Sequence, residues 1–237
     1  MVFHPAISLT EQIADHLGQQ IITGQLQPAE RIQELRVAAA LGVSRGSVRE
    51  ALLILESRHL VEIVPRRGAM VSRLEAAEIC NFSELYADLL NLFFSKIAAQ
   101  SSAVPTRSGA FTRLAAAVAE ITEAIAMSDV ERVLGGQRDF VAAGLDALDN
   151  YYLVAVLRGL IPAASRLAHL AACHADFDAR DTLRYHQALF AAIDQGDAPR
   201  VSELVSAHGR REARLASESL GLKNFSDASA GLSRGVA

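Results

Sequence analysis

Between residues 44 and 49, short hydroxyl side chains alternate with guanidinium groups, in the order Ser44, Arg45, Ser47 and Arg49. An arginine can donate two hydrogen bonds to a guanine edge, and a serine hydroxyl can reach a phosphate or a base edge. Apolar residues recur behind them at spacings of four and three, namely Val48, Leu52 and Leu55. This pattern is typical of a helix that enters the DNA major groove, although an ordinary helical hairpin with solvated arginines produces it too.

A second pair of guanidinium groups, Arg66 and Arg67, is followed by Gly68 and lies between two short β-branched runs. The runs and the Pro and Gly residues between them predict a β-hairpin with both arginines at its tip. Such a wing could lie across the sugar-phosphate backbone or probe the minor groove. Taken alone, the two arginines are equally compatible with a solvated hairpin tip.

Helices must hold both features in place. Gly42 predicts a sharp turn between two crossing helices, and Ser44 can cap the second one by accepting a hydrogen bond from a backbone N–H near Ser47. Thr10 is expected to cap an earlier helix, which Gly24 stops. The sequence therefore predicts a winged helix-turn-helix domain over residues 1–73.

Beyond residue 73 every segment has the helical period. The predicted helices cover residues 75–80, 83–100, 110–127, 129–148, 151–174, 178–195 and 198–220, with a loop over 101–108. Pro162 predicts a kink in the long apolar helix. The fold class is therefore mostly α, with a small hairpin wing and an all-α bundle of about six or seven helices over residues 74–225. Residues 226–237 are rich in Ser, Gly and Ala and are expected to be a disordered tail.

The composition limits the class of protein. The chain has 237 residues and a net charge of −4, of which residues 1–73 carry +1, so nucleic-acid binding depends on where the arginines lie. Cys80 and Cys173 lack metal-motif spacing and are expected to be small buried residues in a reducing compartment. No signal peptide and no uninterrupted apolar stretch of about 20 residues is apparent. The chain is predicted to be cytoplasmic, without membrane association.

The stretch from residue 9 to residue 72 resembles the winged helix-turn-helix of the GntR family of bacterial transcription regulators. The matching positions are 21–26 with Pro28, then 41–45, 48–52, 55–56, 60–61 and 67–68. The resemblance implies that Arg45 and Arg49 contact bases or nearby phosphates, that the two serines support them, and that Gly68 lets the wing approach DNA. Gly46 departs from the threonine that the family often has, at a cost in helix stability. The predicted DNA-binding residues are Arg36, Ser44, Arg45, Ser47, Arg49, Arg66, Arg67 and Gly68.

The helical part resembles the FCD effector domain of the FadR branch of that family. Many FCD domains hold a divalent metal with an Asp and a His four residues apart on one helix and one His on each of the last two helices. His186 and His208 match the last two positions, but Gln137 and Val141 stand at the other two. The favoured expectation is a metal-free cavity in which the histidines donate hydrogen bonds to an effector or to each other. Zinc, nickel or manganese on His186 and His208, completed by replacement ligands, is the alternative.

The effector's chemistry stays open at this point. The FCD pattern usually has an Arg and a Glu on its first long helix, and residues 87–91 lack both. Basic residues elsewhere are candidates to hold an organic acid, with Arg184 favoured: Arg138, Arg158, Arg166 and Arg184. Aromatic residues could instead suit a more apolar ligand, although core packing is the better explanation for any one of them: Phe93, Phe94, Phe140 and Tyr152. The predicted effector-binding residues are Arg138, Arg184, His186 and His208.

Together these features predict a homodimeric DNA-binding transcription regulator, a repressor by resemblance, whose operator affinity is controlled by a small metabolite in the helical domain. Two alternatives remain. The helical domain could serve only for dimerisation, or it could be an enzyme using His186 and His208. No nucleophile elbow, P-loop or dinucleotide-binding glycine pattern supports the enzyme, and no cofactor is certain.

Overall fold

The computed structural model describes residues 8–101, 109–146 and 148–222, except for the side chains of residues 100 and 101. Within these residues the chain forms nine helices and one hairpin, in the order α1 Leu9–Ile22, α2 Glu34–Leu41, α3 Arg45–Ser57, β1 Val61–Val64, β2 Gly68–Val71, α4 Ala76–Ser101, α5 Gly109–Ala126, α6 Val130–Leu145, α7 Tyr151–Ala172, α8 Ala179–Gln195 and α9 Ala198–Ser219. The predicted fold class is confirmed. The chain divides into two compact units, of which the first contains the residues up to Leu74 together with Gly159–Arg166.

The first unit is built around one apolar core. The side of α3 that the sequence predicts to be apolar is buried, and its residues Val48, Leu52 and Leu55 are at most 1% exposed. They belong to one cluster with residues of α1 and the hairpin, namely Ile13, Leu17, Ile21, Leu60, Val61 and Val71. Burial of this face leaves the opposite side of α3 in solvent.

Local capping determines where α1 and α2 end. Ser8 begins α1 with a capping box, because its hydroxyl accepts from the Glu11 N–H at 3.1 Å while the Glu11 carboxylate accepts from the Ser8 N–H at 3.1 Å. The expectation that Thr10 is the cap is wrong, since Thr10 lies inside α1 and its hydroxyl donates to Glu50. At the end of α2, Gly42 has a φ of +66°, which a residue with a Cβ adopts only with strain. The predicted tight turn is therefore present.

The wing is an antiparallel hairpin in which Val61 lies opposite Val71. The backbone before α2 joins its outer side, where the Ile32 N–H donates to the Ala69 carbonyl at 2.9 Å. The hairpin is thus held to the segment before α2 by this hydrogen bond, and it also follows α3 directly along the chain.

In the second unit, α4 packs mainly on α9, and α5 on α6, while α8 contacts all four. The largest fully buried side chains include Phe93, Phe94, Ile97, Leu114, Ile121 and Phe140. The predicted break between residues 80 and 83 is wrong: α4 is continuous, because Ile79 and Cys80 extend its buried face. Cys173, in contrast, is exposed rather than buried.

Helix α7 is apolar but little buried. It is the one helix in the described part of the chain that could cross a membrane by length and composition, a test that core helices of soluble proteins also pass. Arg158 and Arg166 interrupt it. Tyr152 is 81% exposed, so the expectation that it fills a pocket is wrong. The predicted tail at 226–237 and the loop at 102–108 lie outside the described residues.

Candidate nucleic-acid interface and buried polar cluster

The first turn of α3 is organised by its two serines. Ser44 is the N-cap, and its hydroxyl accepts from the Ser47 N–H at 3.0 Å. The two hydroxyl oxygens are 2.9 Å apart and share a hydrogen bond. The predicted cap is therefore present, and it fixes the end of the helix from which Arg45 projects.

One acidic residue of α2 holds both arginines of α3. Arg49 donates to Glu34 from Nε at 3.3 Å and from Nη2 at 3.0 Å, and Arg45 Nη2 lies 3.5 Å from the same carboxylate. The hydrogen bond from Arg49 lowers the pKa of Glu34. Both guanidinium groups nevertheless remain more than half exposed. Glu34 therefore presents them on the open face of α3, a role that the sequence analysis missed.

The wing places its arginines in solvent. Arg66, Arg67 and Gly68 are all exposed at the turn between β1 and β2. Arg66 has a φ of +66° and Gly68 a φ of +83°, so glycine is needed at the second position for backbone conformation, beyond any approach to DNA. Arg36 is exposed on α2. All eight predicted DNA-binding residues thus lie in the first unit.

The second unit contains a cluster of polar and aromatic side chains from four helices, here called the polar cluster: Tyr86 of α4, Gln137 of α6, Tyr185 and His186 of α8, and His208 and Glu212 of α9. Gln137 Nε2 donates to Glu212 Oε1 at 2.9 Å and lies 3.4 Å from His208 Nε2. The Tyr185 ring stacks on the His208 ring at a centroid distance of 3.8 Å. The cluster thus joins the two histidines that the sequence singled out to a carboxylate that it did not.

Both histidines are neutral. His186 is 2% exposed, and burial lowers its pKa to about 4. Its Nδ1–H donates to the Thr182 carbonyl at 2.8 Å, since a carbonyl can only accept, and this leaves Nε2 as an acceptor. Burial, helped by His186 and Arg211, lowers the pKa of His208 to about 3.

The pKa of the Glu212 carboxyl shifts in the opposite direction. Burial raises the pKa of Glu212 to about 7, against the smaller effects of the Gln137 hydrogen bond and the Arg211 charge. Burial, together with the nearby Glu212 charge, also raises the pKa of Tyr86 and Tyr185. The signal for Glu212 was present in the sequence, because it follows His208 by four residues on one helix.

These residues do not fit a divalent metal. Gln137 turns its amide nitrogen, a hydrogen-bond donor, toward both His208 and Glu212. Among the residues that the structure describes, no group of three or more His, Cys, Asp or Glu side chains could hold a metal ion. Val141 is half-buried and has no donor atom.

The arginines expected at the effector site lie elsewhere. Arg184 is 65% exposed and pairs with Asp181, and Arg138 is exposed on α6. Arg158 pairs with Asp146 at 3.2 Å. Arg166 is buried in the first unit, where it donates to the Ser72 carbonyl at 3.0 Å.

A winged helix-turn-helix followed by an all-α unit defines a two-part DNA-binding regulator. The model of the family "Bacterial regulatory proteins, gntR family" matches residues 9–71, and that of the FCD domain matches residues 96–211. The chain therefore carries a DNA-binding domain of the gntR family and an FCD domain. The matched domains and relatives are those of transcriptional regulators, so the chain is a regulator and not an enzyme.

Known proteins agree with this assignment. An uncharacterized HTH-type transcriptional regulator in an unstable DNA locus of Streptomyces ambofaciens is 26% identical over 203 residues, which are 82% of this chain and 79% of that one. The HTH-type transcriptional repressor RspR of Escherichia coli K12 is 31% identical over 80 residues, 34% of this chain and 35% of its own length. The solved structure of McbR/YncC from E. coli has the same fold, with a TM-score of 0.74 at 19% identity over 91% of this chain and 100% of that chain.

Proposed function

We propose that this chain is a homodimeric repressor whose operator affinity is controlled by a small molecule bound at the polar cluster. In this proposal residues 1–73 bind DNA, residues 74–225 bind the effector and form the dimer, and the protein acts in the cytoplasm. The proposed DNA contacts are Arg36, Ser44, Arg45, Ser47, Arg49, Arg66, Arg67 and Gly68.

The polar cluster is the observation that carries effector control. Placing a carboxyl and two imidazoles inside a helical bundle costs free energy that an apolar core would not. The side chains of His208 and Glu212 are nevertheless 15% and 22% exposed, so part of each remains accessible. A ligand that binds these side chains can favour one state of the protein by binding it more tightly.

Exposed leucines support the dimer. Leu85 and Leu92 of α4 lie seven residues apart on one side of the helix and are 54% and 49% exposed. A second copy would cover this apolar surface and present two α3 helices to two half-sites of an operator. The sign of regulation is supported by RspR, a repressor that is 31% identical to this chain over 80 residues.

One observation favours a second function for the helical domain. Gln137 already contacts both Glu212 and His208, so part of the cluster is satisfied without a ligand. In that case the helical domain would serve only for dimerisation.

Selection of bound sequences from a random DNA pool tests the proposal directly. We expect one imperfect palindrome to be enriched, and the purified protein to sediment as a dimer on it. A metabolite screen by thermal shift should then identify a compound that raises the melting temperature and releases the palindrome. Failure to enrich any sequence would refute operator binding. A screen in which no compound acts would favour a helical domain that serves only for dimerisation.

A further inference from the structure

We propose that the polar cluster binds an organic cation, with Glu212 as its ion-pair partner and His186 as a further acceptor. The inference rests on the proposed function, because it names the chemical class of the effector. It departs from the organic acid that the sequence analysis considered first.

The carboxylate of Glu212 is the only acidic group of the polar cluster. Both contacts that the described residues make with it go to Oε1, from Gln137 at 2.9 Å and from the neutral His208 at 3.9 Å. Oε2 therefore remains for a further donor. Because the Glu212 side chain is 22% exposed, a ligand can reach it from solvent.

The guanidinium group of Arg211, which influences Glu212, is already paired with another carboxylate. Arg211 lies close enough to influence Glu212, but its Nη2 is 2.5 Å from Asp181 Oδ2 and also donates to the Asp176 carbonyl at 3.4 Å. The imidazoles of His186 and His208 carry no charge near neutral pH. An anionic ligand would thus meet an ionisable carboxyl without a free cation beside it, whereas a cationic ligand would complete an ion pair.

The acceptors of the polar cluster match the same class. His186 offers Nε2 as an acceptor because its Nδ1–H is bound to Thr182. An ammonium or guanidinium group carries several N–H donors and no acceptor, and it therefore complements this set.

Three probes of similar size, each with one phenyl ring, separate the charge classes: benzylamine, benzyl alcohol and benzoate. Calorimetric titration of the full chain at pH 8 should show saturable benzylamine binding at millimolar concentration, with weaker binding of the alcohol and least of benzoate. Benzoate binding as tight as benzylamine binding, or no saturable benzylamine binding, would overturn the proposal. This comparison uses only the unmodified protein.

Two variants of α9 locate the binding. Glu212→Gln keeps the shape of the side chain and should weaken benzylamine binding about tenfold or more, the contribution expected of a hydrogen-bonded charge. Glu203→Gln is the control, since Glu203 is 68% exposed and pairs with Arg200 outside the cluster. Equal losses in both variants, or none in Glu212→Gln, would place the amine elsewhere and contradict the inference. DNA selection with the unmodified chain separates this failure from failure of the proposed function.

Discussion

Replacing Glu212 by glutamine should stabilise the free protein at high pH, although it removes a residue of the proposed binding site. The pKa of the folded carboxyl is about 7, against an ordinary value of 4.5. The folded state therefore holds more protons than the unfolded chain between these values, and its stability falls as the pH rises through them. The difference corresponds to about 3 kcal/mol. Because the side chain is 22% exposed, water screens part of it, and we expect about 1–3 kcal/mol.

Urea unfolding measures this difference in the helical unit alone. The chain has no tryptophan, and all four tyrosines follow residue 75, so tyrosine near-UV circular dichroism reports on that unit. The two stability curves should converge below about pH 4.5, the ordinary pKa of the carboxyl, and separate toward about pH 8, with the Gln variant the more stable. His186 and His208 have lowered pKa values and destabilise the fold as the pH falls. They do so in both proteins, and subtraction removes their effect.

Glu203→Gln is the matched control, because it removes an exposed carboxylate of the same helix that lies outside the polar cluster. The reasoning is refuted if the Glu212→Gln difference does not grow with pH, or if this variant is less stable than the unmodified protein at pH 8. Either result would mean that Glu212 ionises in the fold without the cost that its burial implies.

Other perturbations test the remaining parts of the structure. Arg45→Ala should weaken operator binding about 5- to 150-fold in a fluorescence anisotropy titration, and unchanged affinity would remove this residue from the interface. Glu34→Gln should strengthen binding to random DNA and steepen its salt dependence, because a countercharge is lost from the two arginines that we propose contact DNA; an unaltered salt slope would contradict the presenting role of Glu34. Gly136→Ala should destabilise the helical unit by about 1–3 kcal/mol, since its Cβ would lie 2.6 Å from Ile121 Cγ1. Its neighbour Gly135→Ala should instead gain about 0.5–1 kcal/mol of helix stability, and equal urea midpoints would show that no steric overlap exists.

The DNA-binding head was predictable because local rules determine it. Gly42 needs a positive φ and Ser44 needs a donor two or three residues ahead, and both requirements are visible within a few letters of sequence. The error at the first helix has the same local origin. Ser8 and Thr10 are both good caps, but only Ser8 is followed three residues later by the glutamate of a capping box.

The Arg45 and Arg49 side chains show where local rules stop. Their types and spacing indicate DNA binding, but Glu34 lies 15 residues before Arg49 and reaches it only after α2 and α3 have packed. A partner at that distance follows from the crossing of two helices, and no periodicity within either helix encodes it. The sequence therefore predicted which residues lie on the exposed side of α3 without predicting what orients them.

Gln137 illustrates the same limit for the polar cluster and explains why its chemistry differs from a metal site. In the sequence alone, glutamine at the position where many FCD domains have an aspartate metal ligand indicates only that this ligand is lost. In the fold its amide nitrogen donates to Glu212, so the cluster still contains one carboxyl, now on α9 and fixed by that hydrogen bond. A carboxyl beside an amide donor and two neutral imidazoles is poorly arranged to share a metal ion, yet well arranged to accept N–H groups. In the proposed site, the residue at one position of α6 thus determines which ligand charge the whole cluster favours.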